Sequence, residues 1–366
     1  MPVRNAIANL VPEVSEWRHE LHQNPQTAYE EYYISDFVAQ RLSDWEIPHD
    51  RTIAETGIVA WIDGETQSPG RSIGLRADMD ALDIHGRIYM IFQPAEEGQG
   101  GAIRMLKEGL FENYSMEEVY ALHTLPELPA GQFATCPGPI LAASDRVYIT
   151  LAGRGGHAAM PEQTIDPVAA AGHIIVAVQN YVAREINPLD SVVVSLTNIH
   201  GGTGAVNAIP DTVELSGTVR LLKPELRDVV VPRLKELIEN TASAHQVSAY
   251  VHYKRGYEPT VNAEKPTIRA AQAARDIVGQ ENVYERIAPT MGGEDFGAML
   301  AECPGNYTYI GQGHPDEPDA PYNQPVHSAR FDFNDDALGY GIEYWVRLTE
   351  TLLSQTHNES SENDDT

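Results

Sequence analysis

The stretch that most limits this chain's fold is Ile88-Tyr89-Met90-Ile91-Phe92, followed at once by Gln93-Pro94-Ala95-Glu96-Glu97-Gly98. An apolar run without alternation reads as a strand buried on both faces, as in parallel sheets covered by helices. In such α/β sheets, ligands sit beyond the carboxyl ends of the strands. Glu96 and Glu97 stand in that place. Two adjacent carboxylates at a buried strand end are costly unless positive charge meets them. One can hold a metal while its neighbour moves protons. Alternatively, one starts the helix expected over 98–109 and the other is solvated.

The flanking sequence extends the α/β pattern. Val14, Trp17 and Leu21, then Phe37, Val38 and Leu42, carry helical spacing. Residues 57–62 and 72–78 read as short strands, and Glu118 to His123 as another. A strand, a helix and a strand form a βαβ unit, which predicts that strands 88–92 and 118–123 are parallel neighbours. That arrangement puts Glu97 and His123 at adjacent strand ends.

From Ser144 the pattern changes. A strand over 147–151 is followed by a long helix that Asp166-Pro167 opens, with Pro in the first turn. Strands over 191–199 and 212–222, a helix over 224–245 and a strand over 248–253 complete a β-α-β-β-α-β order. The expected fold is therefore α/β: a mostly parallel sheet with flanking helices, carrying an inserted ferredoxin-like small domain. Residues 1–143 and 257–353 form one discontinuous domain and 144–256 the insertion. The acidic stretch 354–366 is expected to be a disordered tail.

With 366 residues the chain is long enough for two such domains. Its 53 acidic against 25 basic side chains, a net charge of −28, argue against a nucleic-acid partner. No apolar run is long enough to span a bilayer, the first residues lack the apolar core of a signal peptide, and two cysteines imply no disulfide framework. The expectation is a cytoplasmic protein. Gly153 to Ala158 lacks the acidic residue of a dinucleotide loop, and Gly201 to Asn207 lacks the Gly-Lys-Ser/Thr ending of a phosphate loop.

Three candidate metal ligands stand at or just after strand ends: Glu97, His123 and His327. Their oxygen and nitrogen donors suit Zn²⁺, Mn²⁺ or Co²⁺. A lone histidine is more often structural than ligating, so the weight rests on the three together.

The chain resembles the dinuclear metallohydrolases of the aminoacylase and carboxypeptidase type, in the amidohydrolase branch that includes hippurate hydrolase and the indole-acetyl-amino-acid hydrolases. The resemblance runs in order through Trp17-Arg18-His19-Glu20-Leu21-His22, Leu75-Arg76-Ala77-Asp78-Met79-Asp80, Phe92 to Gly98, Gly155-Gly156-His157-Ala158-Ala159, Asn207-Ala208-Ile209-Pro210-Asp211, Gly217-Thr218-Val219-Arg220, Met291-Gly292-Gly293-Glu294-Asp295-Phe296 and His327-Ser328-Ala329-Arg330-Phe331. It implies metal-dependent cleavage of N-acyl amino acids. Glu96 would be the general base acting on metal-activated water. Glu97, His123 and His327 would be ligands, with Asp78 supporting them from behind. His157, Asn207 and Arg220 would contact the substrate. It implies two divalent metals per chain (Zn, Mn or Co) and a homodimer through the inserted lid domain, with the histidine supplied across the dimer.

One departure stands out. The family's Cys-Gly-His-Asp-Gly-His segment, which supplies two metal ligands, is absent between Ile84 and Arg87. The resemblance then leaves three ligands, enough for one catalytic metal; His85 is the only donor nearby. It also leaves open a catalytically silent homologue that binds or dimerises.

Overall fold

The computed structural model describes residues 3–64, 71–76 and 87–353. Asp78, His85 and the acidic tail 354–366 lie outside the described residues. The chain divides into two compact units, one of Met1–Ile140, Val261–Ala288 and Ala298–Thr366, the other of Leu141–Thr260 and Pro289–Gly297.

The first unit opens with helices α1 (Asn5–Gln23) and α2 (Tyr32–Asp44) and strands β1 (His49–Ile53), β2 (Gly57–Asp63), β3 (Ser72–Arg76) and β4 (Arg87–Phe92). Helices α3 (Gly101–Lys107) and α4 (Leu110–Asn113) precede β5 (Glu118–Pro129), β6 (Phe133–Ala134) and β7 (Gly138–Leu141). The main sheet orders its strands β1-β2-β4-β3-β5, with further strands beyond β5. The apolar run behaves as expected: Ile88, Tyr89, Met90 and Ile91 are all buried in β4.

The βαβ expectation needs two corrections. Strands β4 and β5 are not neighbours, because β3 lies between them and pairs in parallel with both: Leu75 faces Met90 on one side and Tyr120 on the other. The apolar centre of β3, with Ile73 and Leu75 buried, is satisfied only inside the sheet. The crossover through α3 therefore skips one strand. In addition, β5 does not stop at His123. It runs on to Pro129, held by the strand that pairs with it from Gly305 to Gly313, so His123 is in mid-strand.

The second unit contains β8 (Ala143–Ala152), β9 (Gly156–His157), α5 (Pro167–Arg184), β10 (Val192–Gly201), β11 (Ala208–Ile209), β12 (Thr212–Leu221), α6 (Leu226–Ala244) and β13 (Ser248–Tyr257). Its sheet is ordered β10-β12-β8-β13 and every pair is antiparallel, the arrangement expected of a β-α-β-β-α-β chain. Asp166 caps α5 by accepting from Val168 N (2.8 Å) and Ala169 N (3.2 Å). Along β8, Asp145, Val147, Ile149 and Leu151 are buried, and Val147, Ile149 and Leu151 share one core with Ile174 and Val178 of α5 and Val230 and Leu234 of α6. The period-2 alternation turns Ser144, Arg146 and Tyr148 to the opposite face.

The first unit resumes with β14 (Thr260–Asn262), α7 (Glu264–Val278) and β15 (Val283–Tyr284), and after the excursion Pro289–Gly297 with α8 (Gly297–Glu302), β16 (Gly305–Gly313) and α9 (Asp336–Leu353). Strand β16 runs parallel to β5, antiparallel to β6, and β15 closes the edge against β6. The sheet is thus mixed, with the parallel run β4-β3-β5-β16 at its centre and one more parallel pair, β6 with β15, at its edge. Its core combines β2, β3 and β4 with α2, α7 and α9, where Tyr344, Leu348 and Leu352 are fully buried. Among the described residues, no helix is long and apolar enough to cross a membrane.

Candidate metal and substrate site

The turn after β4 is built to present its carboxylates. Ala95 adopts φ 54°, and Gly98 and Gly100 also have positive φ. A side chain at Gly101 would overlap the Pro94 carbonyl oxygen, so only glycine lets the chain turn from strand into α3 there. Glu31 fixes the turn, accepting from Ala95 N (3.0 Å) and from the Thr56 hydroxyl (2.8 Å). Neither Glu96 nor Glu97 caps the helix: Gly100 is in that position, without a side-chain cap. Glu96 is half-buried and Glu97 exposed.

Within the first unit, Glu97 meets His327. Their Oε1 and Nδ1 atoms are 3.7 Å apart although the residues come from opposite ends of the unit's sequence. His327 adopts φ 66°, a left-handed conformation that histidine tolerates better than most residues. Gln312 steadies its loop, with Nε2 donating to Tyr322 O (2.9 Å). His123 lies apart from this pair in its contacts. Its ring stacks on Tyr307, with centroids 6.0 Å apart, and its Nδ1 is 2.7 Å from Thr124 O.

The sequence reading gave no role to two acids of the second unit. Glu294 and Asp295 are 4 % and 0 % exposed, and they bring carboxylate oxygens within 4.8 Å of each other. Glu294 accepts from Phe296 N (3.0 Å). Their signal was the one used at Glu96 and Glu97, adjacent acids in an apolar, glycine-rich setting. A Cβ at Gly293, the residue before them, would come 2.8 Å from Arg220 Nη1.

Arg220 itself is oriented by a relay. Its Nε donates to Thr218 Oγ1 (3.0 Å), and that hydroxyl donates to Asp145 O (3.1 Å). Burial lowers the guanidinium's pKa, which the Asp145 charge opposes and the Arg146 charge reinforces. His157 and Asn207 are exposed and adjacent. His157 pairs with Ala208 across β9 and β11, and Asn207 O accepts from Ala158 N (2.9 Å).

The donors match a divalent cation in kind. One carboxylate and one imidazole meet at 3.7 Å on unit 1, and two more carboxylates converge on unit 2. Hard oxygen and borderline nitrogen donors are those used by Zn²⁺, Mn²⁺ and Co²⁺.

Comparison with known proteins gives the same direction. The sequence model of peptidase family M20/M25/M40 matches residues 74–351. The chain is 31 % identical to the IAA-amino acid hydrolase ILR1-like 4 of Arabidopsis thaliana, over 95 % of this chain and 88 % of that protein. It is 28 % identical to the hippurate hydrolase of Campylobacter jejuni, over 93 % and 98 % respectively. A Bacillus subtilis structure described as a dinuclear metal-binding peptidase of the M20 family superposes with a TM-score of 0.78 at 24 % identity, covering 95 % of this chain and all of that one.

Proposed function

This chain belongs to peptidase family M20/M25/M40, an enzyme of the amidohydrolase kind, and on that premise we propose that it cleaves the amide bond of N-acyl amino acids with the help of a bound divalent metal. The observation that carries the proposal is the meeting of Glu97 with His327 beside Glu96 in sequence, at the end of the buried strand β4. Glu97, His327 and His123 are the proposed metal holders on the first unit, and Glu294 and Asp295 are candidates on the second. A divalent metal supplies Lewis acidity that polarises the amide carbonyl and lowers the pKa of water to about 7. Glu96 takes the proton of the attacking water and passes it to the leaving amine, as a general base and then acid. Arg220 holds the substrate's free carboxylate by a charge-assisted fork. His157 and Asn207 contact the carbonyl oxygen of the tetrahedral intermediate.

The proposed partner is a second copy of the chain. Strand β10 is an edge of the second unit's sheet, with Thr197 to Gly201 exposed, and an unpaired edge is a template for strand addition. The amide-hydrolase reading is tested by assaying metal-reconstituted protein on a panel of N-acyl amino acids. Turnover should fall by about 10²- to 10⁴-fold in Glu96→Gln. Equal rates in the two proteins sink the role of Glu96, and no turnover by either sinks the activity.

One observation favours a second reading, a silent homologue that binds without hydrolysis. Strands β3 and β4 are adjacent and parallel, yet only residues 77–86 connect them. So short a connection between parallel neighbours supports the reading that a ligand-bearing segment is absent after Ile84. Binding of two metals per chain, read by titration, would exclude this second reading.

A further inference from the structure

The open face of the second unit's sheet carries a cavity of about 280 Å³. Its shape follows from a bulge. The register of β10 against β12 slips between Leu196 and Asn198, and the displaced backbone lies so close to Gly217 that a side chain there would overlap Ser195 O. Two arginines line the cavity, Arg146 from β8 and Arg220 from β12. Thr218 pairs with Arg146 and Arg220 with Ser144, so the two guanidinium-bearing positions are diagonal neighbours on one sheet face. Such positions lie roughly 7–8 Å apart, within reach of each other's long side chains. The remaining lining is neutral: Ser144, Tyr148, Asn198 and Ser216 among others.

Two like charges on one face repel, and this pair lies in a chain with 53 acidic residues. Among the described residues, neither arginine forms an ion pair within 4.0 Å, whereas Arg227, one strand face away, is doubly paired to Asp145. The Arg220 Nη atoms also find no protein hydrogen-bond acceptor among the described residues, since only Nε is engaged, by Thr218. Two guanidinium forks facing a polar hollow are satisfied together by one ligand carrying two carboxylates. A monocarboxylate leaves one fork facing water.

We propose that Arg146 is a second anion-binding residue beside Arg220, and that the pocket selects substrates whose amino-acid half has two carboxylates, one on the α-carbon and one on the side chain. The proposal rests on the amide-hydrolase reading for what it calls a substrate, but its test does not need turnover.

Binding is measured by calorimetry with N-methanesulfonyl-glutamate and N-methanesulfonyl-glutamine, whose sulfonamides are not hydrolysed. The dicarboxylate should bind about 10- to 100-fold more tightly than the neutral isostere, the range for a hydrogen bond to a charged group. Arg146→Ala should collapse that ratio towards one by weakening the glutamate analogue far more than the glutamine analogue, and Arg146→Lys should restore part of it. Because Arg146 is exposed and unpaired, neither variant should change the melting temperature. Equal affinity for the two ligands, no binding of either, or equal losses for both in Arg146→Ala overturns the proposal. A binding preference without hydrolysis of N-acetyl-glutamate leaves the pocket standing and the amide-hydrolase reading rejected. Hydrolysis without a preference does the reverse.

Discussion

Asp145 and Arg227 form a doubly hydrogen-bonded ion pair inside the second unit, with Nε to Oδ2 at 2.9 Å and Nη2 to Oδ1 at 3.1 Å. Asp145 is fully buried and Arg227 2 % exposed. The same carboxylate accepts from Tyr253 Oη (2.6 Å) and Gly256 N (2.7 Å), so its charge is fully surrounded by donors. Because strand side chains alternate, fixing Asp145 inward fixes Ser144 and Arg146 outward. Asp145→Ala leaves a buried guanidinium with one partner fewer, and should cost about 3–5 kcal/mol of stability. Chemical denaturation of the two proteins measures it. A loss below about 1 kcal/mol would show that the pair is no more than a surface-like contact.

The Glu97–His327 pair makes a claim about metal. Glu97→Gln and His327→Ala should each weaken divalent-metal binding by at least about 100-fold, the upper end of what losing even an outer hydrogen-bond partner costs. Titration with Zn²⁺, Mn²⁺ and Co²⁺, followed by metal analysis of dialysed protein, reads the effect. Unchanged affinity in both variants removes them from the ligand set.

The first unit ties its two ends together electrostatically. Arg4 donates to Glu350 through Nη1 (2.8 Å) and Nη2 (2.5 Å), and its backbone N donates to Glu343 (3.0 Å). The hydrogen bonds from Arg4 hold the Glu350 carboxyl below its usual value of 4.5, with the Arg4 and Arg347 charges adding and partial burial opposing. A depressed carboxyl contributes stability above its unfolded value and loses it as pH falls through the folded value. Glu350→Gln should therefore lower the melting temperature at pH 7, by what about 0.5 kcal/mol of a third-exposed pair allows. The gap between the proteins should close as pH drops below 4.5. A gap that stays constant down to pH 3 would falsify the assignment.

Burial sets the reactivity of the two thiols. It pushes Cys303 up to about 12, with the nearby Glu118 charge adding, and it also raises Cys136. Only the thiolate attacks alkylating agents. At pH 8, iodoacetamide should label the folded chain slowly and both cysteines rapidly once the chain is denatured. Mass spectrometry counts the adducts, and rapid labelling of the native protein would contradict the burial.

Much of this architecture was legible because it is written locally. The Asp166-Pro167 cap, the alternation in β8 and β12, and the unbroken run of β4 each depend on residues within one element. What escaped was non-local. Nothing in Ser72–Arg76 says which strands it will separate, and Thr124 to Pro129 reads as a loop because two prolines interrupt it. Its strand character comes from β16, where Gly313 pairs with Pro129. At the site, Glu96 and Glu97 were visible as adjacent acids after a strand. Glu294 and Asp295 are also adjacent acids, but no strand directly precedes them to point to them. Arg146 gains meaning only from Arg220, its diagonal neighbour across the sheet.

The pairing of Tyr257 with Ser144 at the ends of β13 and β8 bears on the order of folding. Strands β5 and β16 are partners separated by the whole second unit, and loop-closure entropy opposes such distant contacts until the intervening chain is ordered. Once the second unit's sheet has formed, the entry and exit of that long excursion lie side by side, and the gap between β5 and β16 shrinks to their short flanking segments. Pulse-labelled hydrogen exchange should therefore protect β8 and β13 before β16. The insertion then acts as a staple that shortens the effective chain, giving the first sheet its last central strand only after the second is complete.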